Sequence, residues 1–345
     1  METGKELIQA LSQIEKEKNI SKEVLLEALE NSLLAACKNN FGRSDNILVE
    51  INKETGDVKV FAQKEIVEEV TDETNEISLE DGTEIDVNNN IGDIVNIEVT
   101  PKNFGRIAAQ KAKQAIIQKI REEERKVLFQ EYSTKEKDVV TGIVQRYVGN
   151  NISINLGKVD AMLTENEQVR GEYFQPTDRI KLYILEVKET TKGPRITVSR
   201  SHPELVKRLF ESEVAEIQDG VVEIMNIARE PGSRTKIAVR SHNPYVDPVG
   251  ACVGMNGSRV NAIVNELRGE KIDVISWSEE PARLIENALS PSKVISVEVD
   301  EEERSAIVIV PDYQLSLAIG KEGQNARLSA KLTGYRIDIK SDYQI

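Results

Sequence analysis

Gly254-Met255-Asn256-Gly257 recurs 66 residues later as Gly320-Lys321-Glu322-Gly323. One GxxG match means little, because 20 glycines in 345 residues yield about one by chance. Here the surroundings recur too. A short apolar helix precedes each loop, ending Ala251-Cys252-Val253 or Leu317-Ala318-Ile319, and a second helix follows, stopping at Gly269 or Gly334. A strand comes next, Lys271-Ile272-Asp273-Val274 or Arg336-Ile337-Asp338-Ile339. The strands lie 65 residues apart and the loops 66, so one helix has lost a residue in a tandem duplication.

Each copy also has an upstream helix and strand pair. These are Pro203 to Val214 with Val221 to Arg229 and Thr235 to Arg240, then Glu280 to Leu289 with Val294 to Val299 and Ala306 to Val310. The order helix, strand, strand, helix, GxxG, helix, strand is similar to that of the bacterial-type KH module, which clamps four nucleotides of a single strand. Two residues without Cβ open the loop to a sugar-phosphate backbone, and the N-terminus of the next helix offers amide donors to a phosphate. For one copy alone, a tight helix–helix turn without a ligand explains the glycines equally well. Two copies in one context favour the nucleic-acid reading.

From Lys137 the pattern is five short strands: Val139 to Val148, Ile152 to Leu156, Val159 to Leu163, Asp178 to Val187 and Arg195 to Ser199. Their number and length suggest a small barrel of the oligonucleotide-binding type, though strand count alone also fits a β-barrel with a protein partner. Nearer the N-terminus, Thr3-Gly4-Lys5-Glu6 has the capping-box pattern and predicts a helix start. Ser21 predicts the cap of a second helix ending near Gly42. Ile47, Val49 and Ile51 with Val58, Val60 and Ala62 flank a turn at Glu54-Thr55-Gly56, a hairpin, and Ile94, Ile97 and Val99 add a strand. A helix from about Asn103 to Glu131 follows. Its polar second half, Arg121 to Lys126, is expected to project into solvent and connect domains.

The net charge is -14. Residues 1–132 hold 17 Lys/Arg against 27 Asp/Glu, a net of -10, while residues 133–202 hold 11 bases against 9 acids. Any nucleic-acid site must therefore be local, because no domain has the basic excess of a non-specific binder. No apolar run approaches the roughly 18 residues of a membrane span, and the first residues lack a signal-peptide core, so a cytoplasmic location is expected. Cys37 and Cys252 sit in apolar helical patterns and read as buried free thiols. Enzyme readings find no support: His202 and His242 sit at a helix entry and a turn, no GxxxxGK[ST] occurs, and no Cys/His set has metal spacing. Asp300-Glu301-Glu302-Glu303 reads as an exposed hairpin turn rather than a metal site. No catalytic residue, metal or other cofactor is expected.

The run Ile227-Ala228-Arg229-Glu230-Pro231-Gly232-Ser233-Arg234-Thr235-Lys236-Ile237-Ala238-Val239, continued through Asp247-Pro248-Val249-Gly250-Ala251-Cys252-Val253-Gly254 to Val264-Asn265-Glu266-Leu267-Arg268-Gly269-Glu270-Lys271-Ile272-Asp273, resembles the NusA family of bacterial transcription factors, and the domain order extends the likeness along the chain. The resemblance implies a multidomain α+β protein: a mixed α/β N-terminal domain (1–132) that docks on RNA polymerase, an S1 barrel of the OB type (137–200), and two tandem type II KH domains (203–277 and 279–345) that bind nascent single-stranded RNA. It implies effects on pausing, termination and antitermination, with other antitermination factors as further partners and a monomeric chain. The RNA contacts expected are Gly254, Met255, Asn256, Gly257, Arg259, Arg229, Arg234 and Lys236 in the first copy. In the second they are Gly320, Lys321, Glu322, Gly323, Gln324, Asn325 and Arg327, and in the barrel Arg146, Tyr147, Lys158 and Arg195.

Three departures from the family pattern lower expectations. Asn256 and Glu322 stand where a base is common, so each loop loses a phosphate-directed charge. Gly149-Asn150-Asn151-Ile152 replaces barrel aromatics, removing stacking surface of roughly 1–3 kcal/mol per base, so the barrel is the weaker RNA candidate. The sequence stops at Ile345 without acidic C-terminal repeats, so no autoinhibition by such a tail is expected. Of the two loops the first is expected to be at least as sensitive to added charge, because Arg229, Arg234, Lys236 and Arg240 outnumber the bases near Glu298, Asp300 and Arg304. The competing reading is an RNA-processing or ribosome-associated RNA binder acting without polymerase. The acidic N-terminal domain, which would repel RNA, argues against it.

Overall fold

The computed structural model describes residues 2–41, 46–100 and 104–344 and divides into two units, Met1–Val127 and Leu128–Ile345. In the first, α1 (Glu2–Lys18) and α2 (Lys22–Phe41) bury Leu11, Leu25, Leu29, Leu33 and Cys37 against Val49, Ile51 and Val60. Helix α1 begins at Glu2, so Thr3 lies inside it instead of capping it. Ser21 does cap α2, its Oγ accepting from the Val24 amide at 3.4 Å. Gly42 and Asn103, read as helix limits, lie outside the described residues.

Strands β1 (Ile47–Ile51) and β2 (Val58–Val67) form the expected antiparallel hairpin. Strand β3 (Glu76–Ser78) and α3 (Leu79–Ile85) were not legible in the sequence; β3 pairs parallel with β2, and β4 (Ile94–Glu98) antiparallel with it. Helix α4 (Phe104–Ser133) buries Ala112 and Ile116 in this core.

Residues 121–126 of α4 are exposed or half-buried; beyond them Leu128, Phe129 and Tyr132 belong to the second unit and pack on the barrel core. Strands β5 (Val139–Val148), β6 (Asn151–Asn155), β7 (Asp160–Leu163), β8 (Arg179–Thr190) and β9 (Gly193–Ser199) close in the order β5-β6-β7-β9-β8. Alternation sends Val144, Ile154, Leu163, Leu182 and Val198 inward.

The first repeat contains α5 (Pro203–Glu213), α6 (Ala215–Gln218), β10 (Val222–Glu230), β11 (Arg234–Ser241), α7 (Pro248–Val253), α8 (Ser258–Glu266) and β12 (Lys271–Ser276). The second contains α9 (Pro281–Ala288), β13 (Ser296–Asp300), β14 (Ser305–Val310), α10 (Leu315–Ile319), α11 (Gln324–Thr333) and β15 (Arg336–Ser341). Sheet order is β10-β11-β12 and β13-β14-β15, and in each the first pair is antiparallel and the second parallel. Local signals explain the helix starts. Pro203, Pro248 and Pro281 open α5, α7 and α9, and Asp247 caps α7 by accepting from the Val249 and Gly250 amides at 3.1 and 3.0 Å.

The repeats share a core. Ala228, Ala238 and Ile275 of the first pack with Leu284, Ala288, Leu328 and Leu332 of the second. Strand β11 is thus covered on both faces, because Ile237 and Val239 point into the first repeat's own helices. The barrel is tied to the first repeat by Arg200, which is fully buried. Its Nε donates to Glu172 at 3.0 Å, its Nη1 to the Lys181 carbonyl at 2.8 Å, and its Nη2 to the Glu266 carbonyl at 2.9 Å. Burial opposes that charge, but Glu172 and Glu266 outweigh it and hold the guanidinium above the usual arginine range. Both cysteines are buried and unpaired, and burial pushes the Cys252 thiol up to about 12.

Candidate nucleic-acid interface

The two GxxG loops have the same backbone. Gly254 and Gly320 sit at φ 74° and 78°, Asn256 and Glu322 at 51° and 53°, and Gly257 and Gly323 at 75° and 74°. Both first glycines are required within the fold as well: a Cβ on Gly320 would lie 2.8 Å from the Asn325 amide nitrogen, and one on Gly254 2.8 Å from the Arg259 Cγ. The following helices, α8 and α11, have glycine N-caps without a side-chain acceptor. Their first-turn amides are therefore free of side-chain caps at the edge of a loop whose Met255, Asn256, Lys321 and Glu322 are exposed. Such an end favours an anion.

The flanking bases are placed differently from expectation. Arg229 is buried, its Nε and Nη2 each 2.9 Å from the Glu270 carboxylate, which also accepts from Thr235 Oγ1 at 2.5 Å and the Gly232 amide at 2.8 Å. Lys236 is fully buried, 3.1 Å from Asp273, and donates to the Ser290 carbonyl at 2.9 Å. Neither can reach RNA. Burial pulls the Lys236 ammonium down, against the attraction of Asp273, while Arg234 and Lys236 hold the Asp273 carboxyl low in spite of burial. Arg234 grips the same carboxylate through two hydrogen bonds of 2.7 and 2.8 Å, and Arg259 is held by Glu216 at 2.8 Å and the Ala251 carbonyl at 2.6 Å. These two are neutralised rather than free.

In the second copy Asn325 is buried, its Nδ2 donating to the Leu289 and Ala318 carbonyls at 3.1 and 2.9 Å, which makes it a packing residue. Gln324 donates to Glu230 at 2.8 Å and Ser233 at 2.7 Å, and Arg327 to Glu230 at 3.0 Å, so both join the repeats to each other. Lys321 is exposed and has no ion partner among the described residues. On the barrel Arg146 and Arg195 are exposed, Lys158 pairs with Glu131 at 2.7 Å, and the Tyr147 hydroxyl donates to the Phe174 carbonyl at 3.0 Å while its ring stays half exposed. Glu270 and Asp273 stand in the family-like run, but the sequence does not show their role as the carboxylates that take the bases out of play; two acids among 59 carry no signal of that pairing.

The chain matches the models of the NusA N-terminal domain over residues 6–126, the S1 RNA binding domain over 133–199, and the NusA-like first and second KH domains over 200–277 and 281–345. The transcription termination/antitermination protein NusA of Bacillus subtilis is 58% identical over 337 residues, 98% of this chain and 91% of that protein. The protein of the same name from Halalkalibacterium halodurans is 57% identical over 98% of this chain and 88% of its own length. A solution structure of the N-terminal domain of NusA from B. subtilis aligns at 52% identity with 35% of this chain and 98% of that one, with a TM-score of 0.33. Identity at this level over nearly the whole length, with the four domain models in order, means that the chain belongs to the NusA family of transcription termination/antitermination proteins.

Proposed function

We propose that residues 1–132 dock on RNA polymerase while the barrel (137–200) and the KH modules (203–277 and 279–345) hold nascent single-stranded RNA, so that the chain modulates pausing, termination and antitermination as a non-enzymatic, monomeric, cytoplasmic factor. Other antitermination factors would join through the same assembly. The observation that carries this reading is the pair of GxxG loops with one backbone geometry, each opening onto an uncapped helix N-terminus. The acidic N-terminal domain, net -10, suits a protein surface better than RNA. Among the described residues no helix is long and apolar enough to cross a membrane.

Transcription through a hairpin pause, with and without the protein, tests the reading directly: pause lifetime or termination efficiency should change. A fragment of residues 1–132 should capture polymerase, and one of residues 137–345 should bind RNA but not polymerase. Capture of polymerase by the second fragment as well as by the full chain would reverse the assignment, and capture by neither would favour a binder that works without polymerase.

Salt dependence should be shallow. Each phosphate contact on a single strand contributes a log–log slope of about -0.7. Of the bases around the loops of the KH pair, Arg229 and Lys236 are buried and Arg234, Arg259 and Arg327 are paired, which leaves Lys321 and Lys331 exposed and Arg240 exposed over the Trp277 ring. A slope steeper than about -6 would require a basic footprint that these residues do not form.

A further inference from the structure

Resting on the RNA-binding reading of the paired modules, we infer that Tyr245 and Tyr313 are base-stacking platforms, one in each repeat, that receive a base of the RNA whose backbone lies on the GxxG loop. Tyr245 is 95% exposed and Tyr313 79%. Neither ring nor hydroxyl has a partner among the described residues. A single exposed tyrosine is ordinary surface. Here the two occupy the same station: each lies in the connector that leaves the middle strand of its sheet, β11 or β14, and enters the short helix, α7 or α10, that ends in the GxxG loop. Those helices have six and five residues and rise only about 7–9 Å, so each connector is separated from its loop by little more than one short helix. That is one to two nucleotides of extended strand, within the four that a module clamps.

Both connectors are pinned along the backbone, so the point from which each ring projects is fixed while the ring itself is free to turn onto a base. In the first, the Asn243 amide donates to Ser241 Oγ at 3.1 Å and the Tyr245 amide to Asn243 Oδ1 at 3.0 Å. In the second, the Gln314 amide donates to the Pro311 carbonyl at 2.8 Å, the Asp312 amide to Asp342 Oδ1 at 3.0 Å, and the Lys293 amide to Gln314 Oε1 at 3.0 Å. The connectors, Ser241 to Asp247 and Pro311 to Gln314, contain no lysine or arginine, and His242 faces Glu223 at 3.0 Å. They therefore offer a phosphate nothing, and what they do offer is a π-face. Every base has one, which suits a factor that meets many transcripts.

The test uses the full chain and a fluorescein-labelled single-stranded RNA of about a dozen nucleotides, with circular dichroism to confirm folding. Tyr245→Ala and Tyr313→Ala should each weaken binding about 5- to 100-fold, and Tyr245→Phe and Tyr313→Phe, which keep the ring, should bind like the parent. Loop variants, Met255→Asp with Asn256→Asp and Lys321→Asp with Glu322→Asp, run alongside. If the alanine variants bind RNA like the parent while the loop variants lose it, the platforms are refuted, the rings belong to a protein contact, and the RNA reading stands. If phenylalanine is as damaging as alanine, the hydroxyl and not the stack is at work and the inference falls. If the loop variants also bind normally, the loops are structural turns, and the RNA-binding assignment of the paired modules fails together with the platforms.

Discussion

Glu270→Ala should lower the stability of the first KH module by about 3–5 kcal/mol, because it strands a guanidinium in the interior. Arg229 would lose both hydrogen bonds to the carboxylate and keep only the His202 carbonyl, 2.7 Å from Nη1, while Thr235 and the Gly232 amide would lose an acceptor. The effect is large against the 5–15 kcal/mol that holds a typical domain together. Replacing both partners, Arg229→Met with Glu270→Leu, should cost less than Glu270→Ala alone, since no buried charge remains unpaired. Trp277, the only tryptophan, directly follows β12 and reports on this module during urea unfolding. A Glu270→Ala midpoint equal to that of the parent would show that the pair is not structural.

Lys321→Asp with Glu322→Asp should weaken RNA binding more than tenfold, and more than Met255→Asp with Asn256→Asp does. Each exchange shifts its loop by two negative charges, and charges near a protein surface a few ångströms from a phosphate interact by roughly 1–4 kcal/mol. Aspartate tolerates the left-handed backbone at Asn256 and Glu322, so both turns should survive. The sequence ranked the first loop at least as sensitive by counting Arg229, Arg234, Lys236 and Arg240. The structure removes the premise of that ranking, and we propose the opposite order: two of those bases are buried and Arg234 is spent on Asp273, whereas Lys321 is an exposed cation on the loop itself without an ion partner among the described residues. Gel shifts on a short single-stranded RNA would show the order; equal losses would mean that Lys321 does not face phosphate.

The placement of those bases was beyond the reach of the sequence. The duplication, the barrel strands and the capped helices were legible because each follows a local period or a local capping residue. Strand β3 and α3 were not, since Glu76-Ile77-Ser78 is too short to alternate and Gly82 interrupts the helical pattern. Lys236 misled for a different reason. In a strand with Ile237 and Val239 on one face, a lysine on the other reads as solvent-facing. The second repeat covers that face, and nothing near position 236 announces it. At the equivalent register position the second repeat carries Ile307, which is 38% exposed rather than covered.

On the proposed reading, in which both loops hold RNA, the shared core of Ala228, Ala238, Leu328 and Leu332 has a consequence for how binding depends on the length of the strand. Two modules on a loose tether would gain affinity gradually as RNA lengthens, because the second site comes within reach over a broad range of spans. With α11 seated on the first sheet and Gln324 and Arg327 both holding Glu230, the two loops keep one separation. The pair then behaves as a ruler: a strand too short to span it gains only one site's affinity, and the first strand long enough gains the avidity of both at once.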